Sequence, residues 1–416
     1  MKEHIKTILL ILLSAALIVL IWQTWAYEPA ILQALPGEWG RTETPRETED
    51  GDGAYAELSD AVLPAQLAQL RDGTRTGALW DSAEVSRAMP VLSRALGLAL
   101  GSASAPQETT AQAWQRALER DSVYLRYTEA VPLDALGVWN SSYDTALDAQ
   151  ARRLTLCVED GKLRLFYEDI SGNLFVCDTA APAQLPELGL AVPCTFAFER
   201  GGAFTKPEPL QLLPEPIPVF SPLSAGPHGD IQEAARDLLR ALGIDPDTPY
   251  KHEEPDGVTY VDYLRQCRVM ADGYIYYNDP APSDRPLPVR TQPPLPGQIE
   301  AARELVAALS PALGDAEWEL RGLEREGAGT VLRFGVHVGG CPVLGPGGAY
   351  ALLKITGGGL EEAFFYLRAY HRRDEMSELI PAEQALAAIP EGERGFTLTA
   401  AYLDHGDEEL LAQWAR

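Results

Sequence analysis

From Ile8 to Ile21 eleven positions are Ile, Leu or Val and none is charged. Near a bilayer centre each contributes roughly −0.3 to −0.6 kcal/mol, so insertion is favoured. As a helix, Ile8 to Tyr27 is about 30 Å long at ~1.5 Å per residue, which matches the hydrocarbon thickness. The run ends in Trp22, Trp25 and Tyr27, an interfacial aromatic set, and not in the small-x-small site of a cleaved signal. Lys2 and Lys6 precede it, and the next basic residue is Arg41. The positive-inside bias therefore predicts a cytoplasmic stub at 1–7, a retained transmembrane helix at 8–27 and an extracytoplasmic body.

Beyond residue 60 the pattern alternates between two periods. Ala83 to Leu100 repeats at helical spacing, although Pro90 should bend or divide that helix. Trp114 to Arg120 also reads as helix. "SVYLRYTEAVPLDALGVW", 122–139, begins as a strand and turns at Pro132. "RRLTLCVEDGKLRLFYEDISGNLFVCD", 152–178, holds three alternating runs separated by Asp160-Gly161 and Ser171-Gly172-Asn173, which predicts an antiparallel meander. In the tail, Pro381 marks a helix first turn within 377–390, 396–403 alternates as a strand, and "ELLAQW" at 409–414 reads as a last edge.

Two Pro-dense segments, 206–227 and 281–297, read as linkers. They isolate segments that repeat one another. "EAARDLLRAL", Glu233 to Leu242, aligns with "EAARELVAAL", Glu300 to Leu309, so the apolar face Ala235, Leu238, Leu239, Leu242 becomes Ala302, Leu305, Val306, Leu309. Strands follow each helix, which predicts a helix on an antiparallel sheet, present twice. The expected fold class is α+β: an N-terminal transmembrane helix, then domains at 61–205, 228–280 and 298–416, the last two a duplication.

Charge narrows the partners. The net charge is −26, and 28–60 holds nine acids against Arg41 and Arg46, which reads as an acidic stalk. An acidic body is repelled by phosphate backbones and anionic head groups, so nucleic acid is not an expected partner. Five cysteines, Cys157, Cys177, Cys194, Cys267 and Cys341, show no metal-binding spacing. Small buried thiols are the simpler reading; if a pair forms, Cys157 with Cys177 is favoured, because both fall on predicted neighbouring strands.

No spacing for a metal, phosphate loop, dinucleotide or nucleophile elbow occurs. Cys341 between glycines, with His337 or His371 as a base, is outweighed by a turn between two strands with Cys341 packed inside. Glu253-Glu254 and Glu361-Glu362 point to opposite faces of a strand. No catalytic residue, cofactor or metal is therefore expected, and the chain does not read as an enzyme.

The span ending "IWQTWAYEP", the strand and proline turn in "SVYLRYTEAVPLDAL", the "GCPVLGPGGAYALLKI" hairpin and the closing "ELLAQW" together resemble the YycH family. The resemblance implies a single-pass membrane protein with three extracytoplasmic domains, the last two alike and similar to the companion protein YycI. It further implies regulation of the WalK (YycG) sensor histidine kinase of cell-wall homeostasis, with the kinase and a YycI-like protein as partners and homo- or hetero-oligomers in the membrane. Under that reading Ile11, Ser14 or Ala15, Ile18, Trp22 and Trp25 recur at three- or four-residue steps on one side of the span. Ser14 and Ala15 permit close helix approach, so this face is the expected contact with a partner helix. Two other readings compete: an envelope ligand- or peptide-binding module with a groove lined by Tyr260, Tyr263 and Tyr276, and an envelope hydrolase. A polar pocket around His337 or His371 would favour these.

Overall fold

The computed structural model describes residues 63–79, 83–140, 145, 147–200, 217–224, 230–247, 250–284, 287, 294–326, 329–345, 349–381, 384–385, 399–405 and 409–415. The expected stub, transmembrane helix and acidic stalk at 1–60 lie outside the described residues. Among the described residues no helix is long and apolar enough to cross a membrane. The architecture is sheet-rich α+β, as expected.

The first unit is an antiparallel sheet of eight strands: β1 (Gln66–Arg71), β2 (Thr74–Leu79), β3 (Gln107–Glu108), β4 (Ser122–Pro132), β5 (Gln150–Glu159), β6 (Lys162–Asp169), β7 (Leu174–Asp178) and β8 (Val192–Pro193). Their order is β3-β7-β6-β5-β4-β1-β2-β8. Asp160 and Gly161 both take positive φ, 51° and 72°, the turn whose twist matches the flanking strands of the predicted meander. Period-two alternation then sorts the side chains. Val123 and Leu125 join the core beneath α1 (Ala83–Gly101) and α3 (Leu133–Trp139), while Tyr124 points to the other face, beneath α2 (Ala111–Leu118). Helix α1 turns Val85, Met89, Leu92 and Leu96 to the sheet. Of the two expected outcomes, bending or division, Pro90 does not divide the helix: it lies on the exposed side, where water can serve the carbonyl that loses its partner. On the α2 face Thr110 caps the helix by accepting from Ala113 N at 3.2 Å, and Trp114 Nε1 donates to Thr155 Oγ1 at 2.8 Å. The buried Arg153 is paired with Glu168 on the neighbouring strand.

Beyond the first unit, an eleven-stranded sheet takes nine strands from two like pieces and two from the tail, beside a separate two-stranded sheet. The first piece is α4 (Asp230–Ala241) followed by β10 (Lys251–Glu254), β11 (Gly257–Asp262), β12 (Arg265–Met270) and β13 (Tyr274–Asn278), preceded in the chain by β9 (Ile217–Ser224). The second is α5 (Pro294–Ala307) followed by β14 (Glu317–Glu326), β15 (Gly329–Val338), β16 (Cys341–Leu344), β17 (Ala351–Thr356) and β18 (Gly359–Tyr366). Strands β10-β11-β12-β13 form one meander and β14-β15-β17-β18 the other, with β16 folded back on the end of β15.

The two meanders meet through their last strands. β13 and β18 run antiparallel with Tyr276 opposite Phe364 at the middle of the ladder, the relation that a two-fold axis through the seam would produce. Helix α4 lies on the third strand of its meander, β12, and α5 on the third of its own, β17. Both repeat faces predicted from the sequence are buried: Leu238 and Leu239 in α4 with Leu242 just past its end, and Leu305 and Val306 in α5 with Leu309 just past its end. The middle and C-terminal segments thus share one sheet and one hydrophobic core.

The tail adds β19 (Arg368–Ser377), β20 (Thr399–Leu403) and β21 (Ala412–Ala415). β20 pairs parallel with β16 and antiparallel with β21, where strands were expected. β9 arises within the Pro-dense 206–227 segment. It is extended, as expected of a connector, yet it also pairs with β19. Ala385 N donates to Pro381 O at 3.1 Å, the predicted first helical turn.

Candidate functional site

The first unit is joined to the large sheet at β14. Between Leu320 and Gly322 the ladder with β15 shifts register, leaving Arg321 as the extra residue of a bulge. The bulge aims its guanidinium across Gly335, whose missing side chain leaves the room; an added methyl there would overlap the guanidinium. Arg321 Nη2 donates to the carbonyls of Val336 and Val343 at 2.9 and 3.0 Å, and Nε lies 3.3 Å from Glu319 Oε2. Glu319 in turn accepts from Thr128 Oγ1 of β4. Glu319 and Arg321 are both buried, so their charges depend on these partners.

Around that pair the joint becomes wetter. Arg325 Nη2 meets Asp134 Oδ2 at 2.6 Å, and Arg333 lies 3.9 Å from Glu129. Burial holds the Glu129 carboxyl above the usual carboxylate range, and Glu319 adds to this, while Arg333, Arg321 and Arg152 pull it down. Burial, then the neighbouring Arg153, lowers the affinity of Arg152 for its proton.

A second polar assembly fastens the tail. Tyr350 Oη and Tyr370 Oη are 2.6 Å apart, Tyr370 Oη donates to Asp404 Oδ2 at 2.6 Å, and Arg368 Nε reaches the same oxygen at 3.1 Å. Burial raises both phenols well above their usual range, against the Tyr370 hydrogen bond in the case of Tyr350 and reinforced by Tyr350 and then Asp404 in the case of Tyr370, so they serve as hydrogen-bonding groups at neutral pH.

On the large sheet, the face turned away from α4 and α5 carries a shallow trough of about 860 Å³ centred on the seam. Tyr276, Phe364, Leu352 and Met270 supply its apolar floor, and Arg268 and Lys354 stand at its side. Tyr276 and Phe364 are 5.3 Å apart between ring centroids, and Tyr274 stacks on Tyr366 at 4.7 Å. A smaller cavity of about 200 Å³ lies on the opposite face between the repeat helices. Beside it the buried Arg265 closes the end of α4 by donating to the carbonyls of Leu242 and Gly243 at 2.6 and 3.0 Å.

The predicted partner-helix face, Ile11, Ser14, Ala15, Ile18, Trp22 and Trp25, lies outside the described residues. Of the three tyrosines proposed for a groove, Tyr276 lines the trough. Tyr260 packs toward the helix-covered core, and Tyr263 occupies the β11–β12 turn at φ 53°. Gly339 and Gly340 make the predicted turn, with Cys341 buried behind it. His337 is buried with Nε2 3.3 Å from Glu317, and neither cavity described above is lined by His337 or His371. All five cysteines are buried and none forms a disulfide. The suggested Cys157–Cys177 pair fails because β6 runs between their strands and the two thiols face opposite sides of the sheet. Burial pushes both thiols up, to about 12 and about 11. Among the described residues no cluster of His, Cys, Asp or Glu is arranged to hold a metal ion.

No protein family profile matches this sequence, and no curated protein matches it. Among solved structures the fold is similar to the crystal structure of YycH from Bacillus subtilis. The TM-score is 0.52 with 11% sequence identity, and the likeness covers 86% of this chain and 94% of that one. At that identity it speaks for the fold.

Proposed function

We propose that this chain is a membrane-anchored, extracytoplasmic regulatory protein of a two-component sensor histidine kinase of the WalK (YycG) type, acting by protein–protein contacts and not as an enzyme. The observation that carries the reading is the YycH-like fold over most of both chains. The apolar run at 8–27, which ends in Trp22 and Trp25, supports an anchor that also presents a contact face. In this reading the cell wall is the process controlled, and a YycI-like protein is the second partner. A regulator of this kind works by binding one conformation of the kinase better than another; a hundredfold preference shifts that equilibrium by about 2.7 kcal/mol.

Crosslinking in native membranes, followed by identification of the captured proteins, is the test. A sensor kinase should be recovered with the full chain, and Ser14→Leu with Ala15→Leu should reduce its recovery. Mature protein that begins downstream of Tyr27, or a wild-type capture without any kinase, overturns the proposal. Unchanged recovery with the Leu variants refutes the chosen helix face.

A further inference from the structure

The trough on the open face of the large sheet is built as a binding site, and we propose that it takes an uncharged oligosaccharide. This inference is independent of the regulatory reading. The trough crosses β12, β13, β18, β17 and β15, five adjacent strands, hence about 19 Å at ~4.8 Å per strand, a span suited to several linked sugar units. Its floor has ring faces to offer. Tyr276 is 45% exposed, unusual for a large aromatic at the centre of a broad sheet, and it lies against Phe364 at 5.3 Å and Tyr274 at 6.3 Å. Such faces suit the C–H side of a pyranose. Hydroxyls around the sugar rim require planar groups that both donate and accept, and the amides of Gln266 and Asn278 line the same wall.

Charge selects against other occupants. The lining holds two cations, Arg268 and Lys354, and two carboxylates, Glu326 and Glu362, the last directly opposite Lys354 on the neighbouring strand, so it is balanced within a strongly acidic chain. Both cations are moreover already engaged: Arg268 with Glu254 and Asp256 at 2.8 and 3.3 Å, and Lys354 with Glu361 at 3.1 Å. A polyanion gains little from cations already neutralised, and the balanced lining offers a polycation no excess of carboxylate. A peptide added as an extra strand needs an unpaired backbone edge, and the five strands that the trough crosses, β12, β13, β18, β17 and β15, are each paired on both sides.

The test uses the full chain in a sugar-free zwitterionic detergent, titrated with chitotetraose and with cellotetraose, and read by calorimetry and by tyrosine fluorescence. Saturable binding to at least one of these is expected, insensitive to added salt. Tyr276→Ala should weaken it about tenfold, the loss of one aromatic contact, and Asn278→Ala less. Both side chains are exposed, so the variants should keep the wild-type unfolding midpoint, and an unchanged midpoint separates a lost contact from a lost fold. Absence of saturation with both tetrasaccharides up to about 10 mM, beyond the ~1 mM scale of weak specific sites, overturns the proposal. So does binding equally strong in both variants, or binding only to a sulfated oligosaccharide at low salt.

Discussion

In the first repeat the outermost strand, β10, leaves all four residues of "KHEE" exposed, whereas the strand in the same place of the second repeat, β14, buries Glu319 and Arg321 against the N-terminal unit. The scaffolds match: a helix, a four-strand meander, and a last strand given to the shared seam. The first strands differ: β10 is four residues long and regular, whereas β14 is ten residues long and bulged, and their side chains are unlike. Lys251, His252, Glu253 and Glu254 keep their edge solvated, and such charges protect an open edge from unwanted pairing. On β14 a bulge, a small residue opposite and a threonine from β4 turn the equivalent edge into a joint. A duplicated fold can thus hold one edge free and commit the other, at the level of a few residues.

The sharpest way to break this comparison is to remove the cation of the buried joint. Arg321→Ala leaves Glu319 buried without its charge partner, a loss of about 3–5 kcal/mol for one member of a buried pair. His252→Ala, on the exposed edge, should change stability by no more than about 0.5 kcal/mol. Urea midpoints of the two variants measure the contrast. Equal, small shifts would mean that the joint is looser than its geometry, and that β14 is no more committed than β10.

The two repeats differ as much in how legible they were. Their helices were readable because "EAARDLLRAL" and "EAARELVAAL" carry the 3.6-residue period that burial imposes. The 152–178 meander was readable because alternation and Asp-Gly act locally. The seam was not. Which strands pair edge to edge, Tyr276 opposite Phe364, is decided by contacts 88 residues apart that leave no local trace. The joint was missed for a related reason. A bulge at Arg321 depends on Gly335 in the partner strand and on Thr128 in another unit, and Arg-Gly in "ELRGLERE" reads as an ordinary exposed stretch. Tyr276 was chosen for its aromatic character alone, which also selected Tyr260 and Tyr263 and could not assign the faces.

A smaller effect distinguishes the joint by its response to pH. Glu129 has a raised carboxyl, chiefly through burial, so between its unfolded value near 4.3 and its folded value the native state holds more protons than the unfolded chain. Stability contributed by the protonated form is therefore lost as pH rises through that window. The groups facing it are Arg333 of β15, Arg321 and Glu319 of β14, and Arg152 of β5. Glu129→Gln should remove this slope, so the difference between wild type and variant grows in the variant's favour from below the window to above it. A flat or opposite difference curve, from chemical denaturation at a series of pH values, would mean that the arginines outweigh burial.

The least effect is expected at the rim. Asp134 and Arg325 meet at 2.6 Å, but both side chains are 40% exposed or more, and exposed pairs couple by about 0.2–1 kcal/mol because water and salt screen them. A double-mutant cycle of Asp134→Ala and Arg325→Ala should give a coupling in that range, shrinking as salt is added. A coupling as large as the cost of Arg321→Ala would place the strength of the joint in its wet perimeter. The distinction between β10 and β14 would then rest on surface charge, which β10 also carries in full, and not on the buried, bulge-aimed arginine.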